Sequence, residues 1–464
     1  MGTAVVLSSN PVVSVVVALV LCAISRSIIQ RTSIAESSPW LVRILWISLI
    51  LHLLAAPAQV YVVHHVYHGI ADWTRYDNQG SVLGPEFRRF DFSLAHAQVR
   101  GIVNDGSVGI ATGIVMAIVG QDQIATFLVF SWLSFLGTIM IYRAFTLTFA
   151  DARAGHRRYA LMLFFLPSMI FWTADVSKEA IMMLSLGIFA LGAAKVLMRR
   201  PGGFSLLAIG VAVGILIRPN ELLLVLGGFA VALMIRPSGS RENFGGLKRV
   251  AGLIFMGLLL ALSVYLTFHY LHSSNGSLSL NQLSHNNTGA GIGFGSSNIS
   301  YSSNPAYYWR DIYTVLFDPL PINAHGMGQV VAALENSVIL VLVLCSLRNL
   351  RMTIRASFAR PYVMLCTIYC ILFVYTFAAL GNLGLIARER TLLLPFLLVL
   401  ICIPRTPRGR RPQYPWELRR KDRNRQRRAT RRAGPRTPGA RRPTIPVPAT
   451  GRAVGPRGPD GVPA

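Results

Sequence analysis

Long apolar runs recur along most of the chain up to residue 404, and they constrain its fold more than any other feature. A helix of about 20 apolar residues crosses the roughly 30 Å hydrocarbon core of a bilayer, and lipid offers the backbone no hydrogen-bond partners. Hydrophobic residues make up 53% of the sequence and charged residues only 14%, which excludes a soluble globular surface. The sequence therefore predicts an all-α, polytopic transmembrane helical bundle and excludes a β-barrel.

The positions of Lys and Arg give these spans a direction, because cytoplasmic loops carry an excess of both. No basic residue precedes the first apolar run, which Arg26 and Arg31 follow. We therefore expect the N-terminus outside the cell membrane, the C-terminus in the cytoplasm, and no cleaved signal peptide. About eleven spans satisfy this rule. They run approximately over residues 5–25, 41–62, 123–142, 160–174, 180–197, 204–218, 221–235, 250–268, 333–347, 361–384 and 391–404.

Two sizeable outer loops follow from this layout, at about residues 63–122 and 269–332. The apolar segment Ser107 to Gly120 breaks the alternation, so we expect it to form a re-entrant or surface helix within the first loop. The second loop begins with a Gly/Ser/Asn-rich stretch, expected to be a mobile flap. It continues with "PAYYWRDIYTVLFDPLP", which predicts a short interfacial helix before Pro319.

The chain divides into a membrane domain, residues 1–404, and a tail, residues 405–464, that is rich in Arg, Pro and Gly. The tail holds 18 Lys and Arg against Glu417, Asp422 and Asp460. Its composition predicts disorder, and its charge predicts binding to anionic lipid of the inner leaflet. We expect no nucleic-acid partner, because no folded nucleic-acid-binding module accompanies these charges.

Several charged residues lie on the predicted outer side, where the positive-inside rule does not explain them. Some stand in very short connections between apolar spans, close to the hydrocarbon, where such residues usually pair or face a polar cavity. One interpretation is local ion pairing: Lys178 with Asp175 or Glu179, Arg218 with Glu221, and Arg388 with Glu389. The other is a basic cavity with carboxylates at its rim, suited to a lipid phosphate or diphosphate. The residues concerned are Asp72, Arg75, Asp77, Asp175, Lys178, Glu179, Arg218, Glu221, Arg310, Asp311, Arg388, Glu389 and Arg390.

Sugar transfer from a polyprenyl-phosphate donor requires two features of such a cavity. Cations bind the leaving phosphate, and one carboxylate accepts the proton of the attacking hydroxyl. Asp72 is the first candidate for this base, because the neighbouring Trp73 and Tyr76 offer aromatic rings to a sugar. Asp77 is the second candidate. The predicted substrate-binding residues are Trp73, Arg75, Tyr76, Lys178, Glu179, Arg218, Glu221, Arg310, Arg388 and Arg390.

No cofactor is expected from the sequence. His64, His65 and His68 are close together, but no further ligand can be assigned, so a divalent metal stays a weak alternative. The five cysteines fall in or beside apolar segments and predict neither a disulfide nor a zinc site. The absence of a phosphate-loop or Rossmann glycine motif argues against a nucleotide-driven pump and a cytosolic nucleotide-sugar transferase.

Several motifs together resemble a group of bacterial polytopic proteins described as family-39-like glycosyltransferases, which are similar in outline to the multi-span GT-C glycosyltransferases. The motifs are "ADWTRYDNQG", "FLVFSWLSFLGTIMIYRAF", "LFFLPSMIFWTADVSKEAIMMLSLGIFALGAAKVL", "GILIRPNELLL" and "LFDPLPINAHGMGQVVAALENSVIL". The resemblance covers roughly residues 40–400. It implies a GT-C-like fold, a polyprenyl-linked sugar donor, a glycan acceptor and a catalytic acid in the first outer loop.

Position by position, the resemblance assigns that acid to Asp72, places Tyr76 in the same motif, and matches the basic positions to Lys178, Arg218, Arg388 and Arg390. One departure concerns the acid, since GT-C enzymes often carry two adjacent acids there, whereas Trp73 follows Asp72. The sequence thus predicts a glycosyltransferase or polysaccharide polymerase of the cell envelope. A flippase or transporter of a lipid-linked glycan and a non-catalytic scaffold acting through the tail are the alternatives.

Overall fold

The computed structural model describes residues 10–36, 38–65, 72–97, 99, 101–150, 154–236, 254, 257, 258, 261, 308–323, 327–347, 350–378 and 383–404. Within these ranges the regular structure is helical and no strand occurs, as the apolar runs predict. Most of the predicted span 250–268, the Gly/Ser/Asn-rich flap and the tail lie outside the described residues.

The described helices belong to one compact unit within Met1–Pro412. They are accompanied by a 3₁₀ turn over Pro321–Asn323. The helices are α1 (Pro11–Glu36), α2 (Pro39–His65), α3 (Asp72–Arg88), α4 (Asp105–Val119), α5 (Gln123–Thr148), α6 (Ala154–Phe165), α7 (Pro167–Phe171), α8 (Lys178–Leu197), α9 (Gly203–Ile217), α10 (Pro219–Ile235), α11 (Tyr308–Phe317), α12 (Met327–Leu347), α13 (Leu350–Ala359), α14 (Pro361–Phe377) and α15 (Leu383–Ile401).

Five of the described helices are long and apolar enough to cross a membrane: α1, α2, α5, α8 and the Val330–Leu347 part of α12. Helices α13 and α14 pass the same test together, but they are bent by 117° at their junction. Helices α4, α9 and α10 are apolar and shorter. These helices identify the chain as a helical membrane-spanning protein.

Several predicted spans differ from the helices in their extent, and two of them illustrate this. The span expected at 160–174 is divided into α6 and α7, because Pro167 cannot continue a helix and instead begins the next one. The first span continues past residue 25 to Glu36, with the side chains of Arg26 and Arg31 exposed along it.

Helix α8 lies at the centre of the bundle. In the most apolar 18-residue stretch of α8, 89% of the residues are buried. In the corresponding stretches of α1 and α12 only 22% are buried, so these two helices lie at the periphery. Helices α5 and α8 cross where Gly137 meets Met183 and Gly187 meets the Gly137 backbone. A Cβ atom at either glycine would collide with backbone atoms, so these glycines permit the close approach of the two helices.

The region predicted as the first outer loop holds a pair of packed helices, α3 and α4. Helix α4 confirms that the segment Ser107 to Gly120 is helical, whereas α3 was expected to be loop. Gly80 and Gly84 of α3 lie against Thr112 and Met116 of α4. The Arg88 guanidinium donates to the carbonyl oxygens of Met116 and Ala117, so it caps the C-terminal end of α4.

The aromatic segment of the second predicted loop also forms a helix. Helix α11 ends at Phe317, just before Pro319, which confirms the short helix expected from the sequence. The sequence predicts an amphipathic helix here, and in the structure the Thr314, Val315 and Phe317 side chains of α11 are buried. This segment therefore packs on the bundle through one face.

Candidate functional site

The N-terminal ends of five helices meet at one charged region. Helices α3, α4, α8 and α10 contribute residues from their first turns, and α15 contributes residues from its first two turns. Each helix N-terminus carries about half a positive charge, which favours carboxylates nearby. We call this set the charge cluster: Asp72, Arg75, Asp105, Lys178, Glu179, Arg218, Glu221, Arg388 and Glu389.

Arg218 lies at the buried centre of the cluster. It is the junction between α9 and α10, where α9 ends before Pro219 because proline disfavours a helical residue in front of it. Its Nη2 donates to Glu179 Oε1 at 2.6 Å, and its Nη1 contacts the carboxylates of Glu221 and Glu389. One buried guanidinium thus joins α8, α10 and α15.

Arg388 extends this network to the surface. Its Nη2 donates to Glu179 Oε2 at 2.7 Å, and its Nη1 donates to Asp72 Oδ2 at 2.9 Å. The Glu179 side chain is fully buried, whereas 66% of the Asp72 side chain is exposed. A continuous series of ion pairs therefore leads from buried Arg218 to a carboxylate that solvent reaches.

Asp105 forms a second branch of the cluster, at the N-terminus of α4. It contacts Lys178 Nζ at 2.5 Å and Arg75 Nη2 at 2.6 Å, and the Tyr76 hydroxyl donates to it at 2.8 Å. Burial acts to raise the pKa of this carboxyl, but Lys178, Tyr76 and Arg75 outweigh burial and lower the pKa to about 2. Asp105 is therefore an ionised counter-charge.

The basic cavity expected from the sequence is not what the structure shows. In the cluster each cation contacts at least one carboxylate, and five carboxylates accompany four cations. The converging helix N-termini supply further positive charge and explain why so many carboxylates are accommodated. The region is a balanced ion-pair network.

The local ion pairing expected within each short turn is correct for Arg218 and Glu221 alone. Lys178 contacts Asp105 instead of Asp175 or Glu179, and Arg388 contacts Asp72 and Glu179 instead of Glu389. Adjacent residues on a helix do not face each other, so Lys178/Glu179 and Arg388/Glu389 turn toward different neighbours. Asp175 is buried near Arg388 and Glu179, and burial raises its pKa to about 6.

The aromatic rings expected to stack on a sugar are buried. Trp73 and Tyr76 are 4% and 1% exposed, and Trp73 packs edge-on against Phe127 with ring centroids 5.2 Å apart. Both residues lie on the face of α3 that packs inward, together with Asp77 and Gly80. The expectation of an open aromatic platform is therefore wrong for these two side chains.

Asp77, the second candidate base, is also buried. Gln123 Nε2 donates to its Oδ2 at 3.4 Å, and its Oδ1 has no hydrogen-bond partner in the described part of the chain. Burial, with a smaller contribution from the Asp122 carboxylate, raises the pKa of Asp77 to about 7. Asp72 and Asp77 thus differ sharply in access to solvent.

Arg390 and Arg310 do not join the cluster. Arg390 donates to the carbonyl oxygens of Leu316 and Asp318 at 3.1 Å and to Asn336 Oδ1 at 2.7 Å. We call Arg390, Asn336 and these two carbonyl groups the Arg390 latch; it joins α15 to α12 and to the end of α11. The Arg310 side chain is exposed on α11, and no described contact brings it to the cluster.

Sequence reasoning missed Asp105 and left Glu389 out of the predicted site. Asp105 stands two residues before the start of the apolar run "SVGIATGIVMAIV", and an acidic residue at the start of an apolar helix is the available signal. Among the described residues, no group of three His, Cys, Asp or Glu side chains is arranged to hold a metal. His64 and His65 end α2, and His68 lies outside the described residues.

Comparisons of this chain with models of protein families, with curated proteins and with solved structures find no match. Its function is therefore argued from the geometry of the charge cluster and from the chemistry that this geometry permits.

Proposed function

We propose that this protein is an integral membrane glycosyltransferase or polysaccharide polymerase that takes a sugar from a polyprenyl-phosphate-linked donor and passes it to a glycan acceptor. The supporting observation is Asp72, an exposed carboxylate held by Arg388 at the open end of a buried charge network. The reaction occurs on the outer face of the cytoplasmic membrane. Asp72 is the general base.

The proposal includes a GT-C-like bundle of about eleven crossings, with the N-terminus outside and the C-terminus inside. In this layout α3, α4 and the charge cluster lie on the outer side, and the basic tail lies inside. Helices α9 and α10 have 15 and 17 residues, fewer than the roughly 20 that span a bilayer, so their junction at Arg218 is recessed. A recess at this depth suits a phosphate at the level of the lipid headgroups.

In the proposed reaction an acceptor hydroxyl oxygen forms a bond to the anomeric carbon while the bond from that carbon to the donor phosphate oxygen breaks. Asp72 takes the hydroxyl proton, and the phosphate leaves with the bonding electron pair. Asp72 Oδ2 contacts Arg388, which leaves the orientation of the carboxylate fixed and Oδ1 outside this ion pair. Arg388 is thus a positioning residue for the base.

Two other carboxylates of the α3–α4 pair, Asp77 and Asp105, are less suited to this role. Asp77 is buried beneath α3, away from any acceptor in solvent. Asp105 has both oxygens engaged, and its pKa of about 2 makes it a weak base. Exposure and hydrogen bonding therefore favour Asp72.

Arg75 and Lys178 are the cations that we assign to the leaving phosphate. The Arg75 side chain is 54% exposed, and both residues share Asp105 as their partner. A phosphate entering beside Asp105 gains two cations, and the guanidinium can bind it through two parallel hydrogen bonds. The four remaining cluster residues hold this surface in place: Glu179, Arg218, Glu221 and Glu389.

A flippase or transporter of a lipid-linked glycan is the second candidate, and the buried pair of Arg218 and Glu179 favours it, since intramembrane charges often line translocation routes. The cluster, however, lies at helix ends, whereas alternating-access transporters bind near the bilayer midplane. The scaffold alternative depends on the tail, which lies outside the described residues.

The test is mass spectrometry of lipid-linked sugars and envelope glycans in a deletion strain that carries the intact gene, Asp72→Asn or Asp91→Asn. Asp91 is an exposed carboxylate beyond the end of α3 and serves as the matched control. We expect outer-leaflet donor to accumulate and a glycan to shrink in the deletion and in Asp72→Asn, with Asp91→Asn normal. Donor trapped in the cytoplasmic leaflet supports the flippase, and a normal Asp72→Asn strain rejects this base.

A further inference from the structure

Helix α13 carries an exposed apolar stripe beside exposed arginines. Leu350, Ile354 and Phe358 are spaced by four residues, so they share one helix face, and they are 50%, 50% and 66% exposed. Arg351 and Arg355 follow the first two of these residues in sequence and are also exposed. Large apolar side chains next to cations are typical of a helix that lies in a membrane interface.

The orientation of α13 fits the same environment. The helix is bent by 117° from α14, so the chain turns sharply here instead of continuing along the axis of that helix. Three contacts fix this bend. Arg360, at the junction, donates to the Thr148 carbonyl oxygen at 2.5 Å and lies over the Phe149 ring, and the Ser357 and Thr367 hydroxyl groups are 2.9 Å apart. The exposed stripe is therefore held outward.

A cavity of about 290 Å³ lies next to α13. Its lining includes Arg158 of α6 and the hydroxyl-bearing residues Ser346 and Thr353. The C-terminal end of α15 and the residues that follow it, Leu400 to Pro404, complete the described lining on another side. Among the residues that the structure describes, this lining contains one cation, Arg158, and no carboxylate. This chemistry differs from that of the charge cluster, where every cation meets a carboxylate, and it suits an anion.

We propose that α13 is an interfacial anchor whose apolar stripe enters the acyl boundary and whose arginines bind anionic phospholipid headgroups, with one headgroup phosphate in the cavity beside Arg158. The amphipathic face favours a membrane surface as the partner, because the exposed apolar side chains of Leu350, Ile354 and Phe358 would contribute nothing to the binding of a soluble anion. Charge complementarity selects anionic lipid within that surface. This site is separate from the proposed transferase site, since it lies at the opposite end of α15 from Arg388.

The first test is native mass spectrometry of the purified full-length protein after exchange into mixed phosphatidylglycerol and phosphatidylcholine. We expect the intact protein to retain phosphatidylglycerol preferentially, and Arg351→Gln/Arg355→Gln and Arg158→Gln each to reduce that retention by about threefold or more. Arg351→Lys/Arg355→Lys should keep most of it. The control Arg26→Gln/Arg31→Gln removes two exposed cations from α1 and should have a smaller effect.

Equal retention of the two lipids by the intact protein overturns the proposal. So does a loss in the α1 control as large as that in the α13 variant, because the binding then reflects overall charge. Thermal unfolding of each variant in the same detergent establishes that it is folded. Because Arg351 and Arg355 are exposed, we expect the variants at these positions to be folded.

The second test measures the depth of α13 in vesicles by spin labelling. In a Cys22→Ala/Cys345→Ala background the remaining thiols, Cys366, Cys370 and Cys402, are buried. A label at Ile354→Cys should be more accessible to oxygen than to a polar nickel complex. A label at Arg355→Cys should be more accessible to the nickel complex than the label at residue 354 is. Higher nickel than oxygen access at residue 354 places the stripe in water and overturns the anchor. Protection from both reagents indicates a second copy of the protein covering α13, which also overturns it.

Discussion

Two buried guanidinium groups, Arg218 in the charge cluster and Arg390 in the latch, are stabilised in different ways. Arg218 contacts the carboxylates of Glu179, Glu221 and Glu389, whereas the described hydrogen bonds of Arg390 end on neutral oxygens. The first network is balanced by charge and reaches solvent through Asp72. The second is bound by backbone and amide oxygens within the protein, and the acidic residues Glu335 and Asp318 lie close enough to act on its charge.

This difference separates a region suited to chemistry from a region suited to holding helices together. Ion pairs can exchange partners when a charged ligand arrives, because each partner keeps its charge when the pair opens. Carbonyl oxygens fixed at a helix end offer one arrangement only, so the Arg390 latch determines where α11 and α12 meet α15. We therefore expect substitutions in the two regions to differ in size and in kind.

The largest expected effect is that of Arg218→Met. It leaves three buried carboxylates without their shared cation, and breaking a buried ion pair from one side costs about 3–5 kcal/mol. Thermal unfolding in detergent should show a large loss of stability, partly recovered in Arg218→Met/Glu221→Gln. The control Arg157→Met, at an exposed position of α6, should change little. An equal loss of stability in Arg218→Met and Arg157→Met would show that the cluster is not balanced by charge.

The second effect is that of Arg390→Met, which we expect to be smaller. It leaves the carbonyl oxygens of Leu316 and Asp318 and the amide oxygen of Asn336 without this donor, and an unsatisfied buried group costs about 1–3 kcal/mol. These three acceptors are neutral, and the nearby Glu335 carboxyl group keeps its hydrogen bonds from Ser168 when Arg390 is removed. Unfolding of Arg390→Met and Arg218→Met under identical conditions measures the difference, and a larger loss for Arg390→Met contradicts the comparison.

Asp77 is a third buried ionisable group and belongs to neither network. Its expected effect is a pH dependence of the stability. Its pKa is about 7 in the folded protein against an ordinary value of 3.8, so folding favours its protonated form. The resulting stability is complete below about pH 4 and is lost as the pH rises through about 7, at about 1.4 kcal/mol per unit. Gln123 and Asp122 are the polar groups that face it.

The measurement compares the unfolding of the intact protein and of Asp77→Asn from pH 5 to pH 7. We expect the intact protein to lose on the order of 2 kcal/mol relative to the variant across this interval. Using the difference between the two proteins removes the contributions of groups that titrate in both. Parallel curves would mean that Asp77 titrates at its ordinary pKa and is solvated.

The sequence predicted the helices that are apolar throughout and the short helix α11, because hydropathy and composition report these directly. It missed α3, whose polar residues kept its hydropathy low. The amphipathic pattern of Trp73, Tyr76, Asp77 and Gly80 is present in the sequence, but low hydropathy alone predicts a loop there, with its aromatic rings open to a sugar. Periodicity, tested separately from hydropathy, would have placed these rings inside.

The charged residues of the cluster were mostly identified, but their partners were not. Arg388 and Asp72 are 316 positions apart in sequence, and Lys178 pairs with an acid on a different helix. Such contacts depend on which helix ends meet in space, and one sequence carries no local signal for that. Arg390 illustrates the same difficulty, since its position two residues from Arg388 suggested a shared role, while the helix directs it to the latch.

The smallest expected effect on stability is that of Asp72→Asn, the substitution with the largest expected effect on activity. The Asp72 side chain is mostly exposed, and an exposed ion pair contributes about 0–1 kcal/mol. Thermal unfolding should therefore be nearly unchanged, while sugar transfer by the purified protein falls by about 10²-fold or more, the usual contribution of a general base. Arg388→Gln should lower both, because it also leaves buried Glu179 with one fewer cation. A strongly destabilised Asp72→Asn would instead assign Asp72 to the structural part of the network and leave the catalytic base to be found elsewhere.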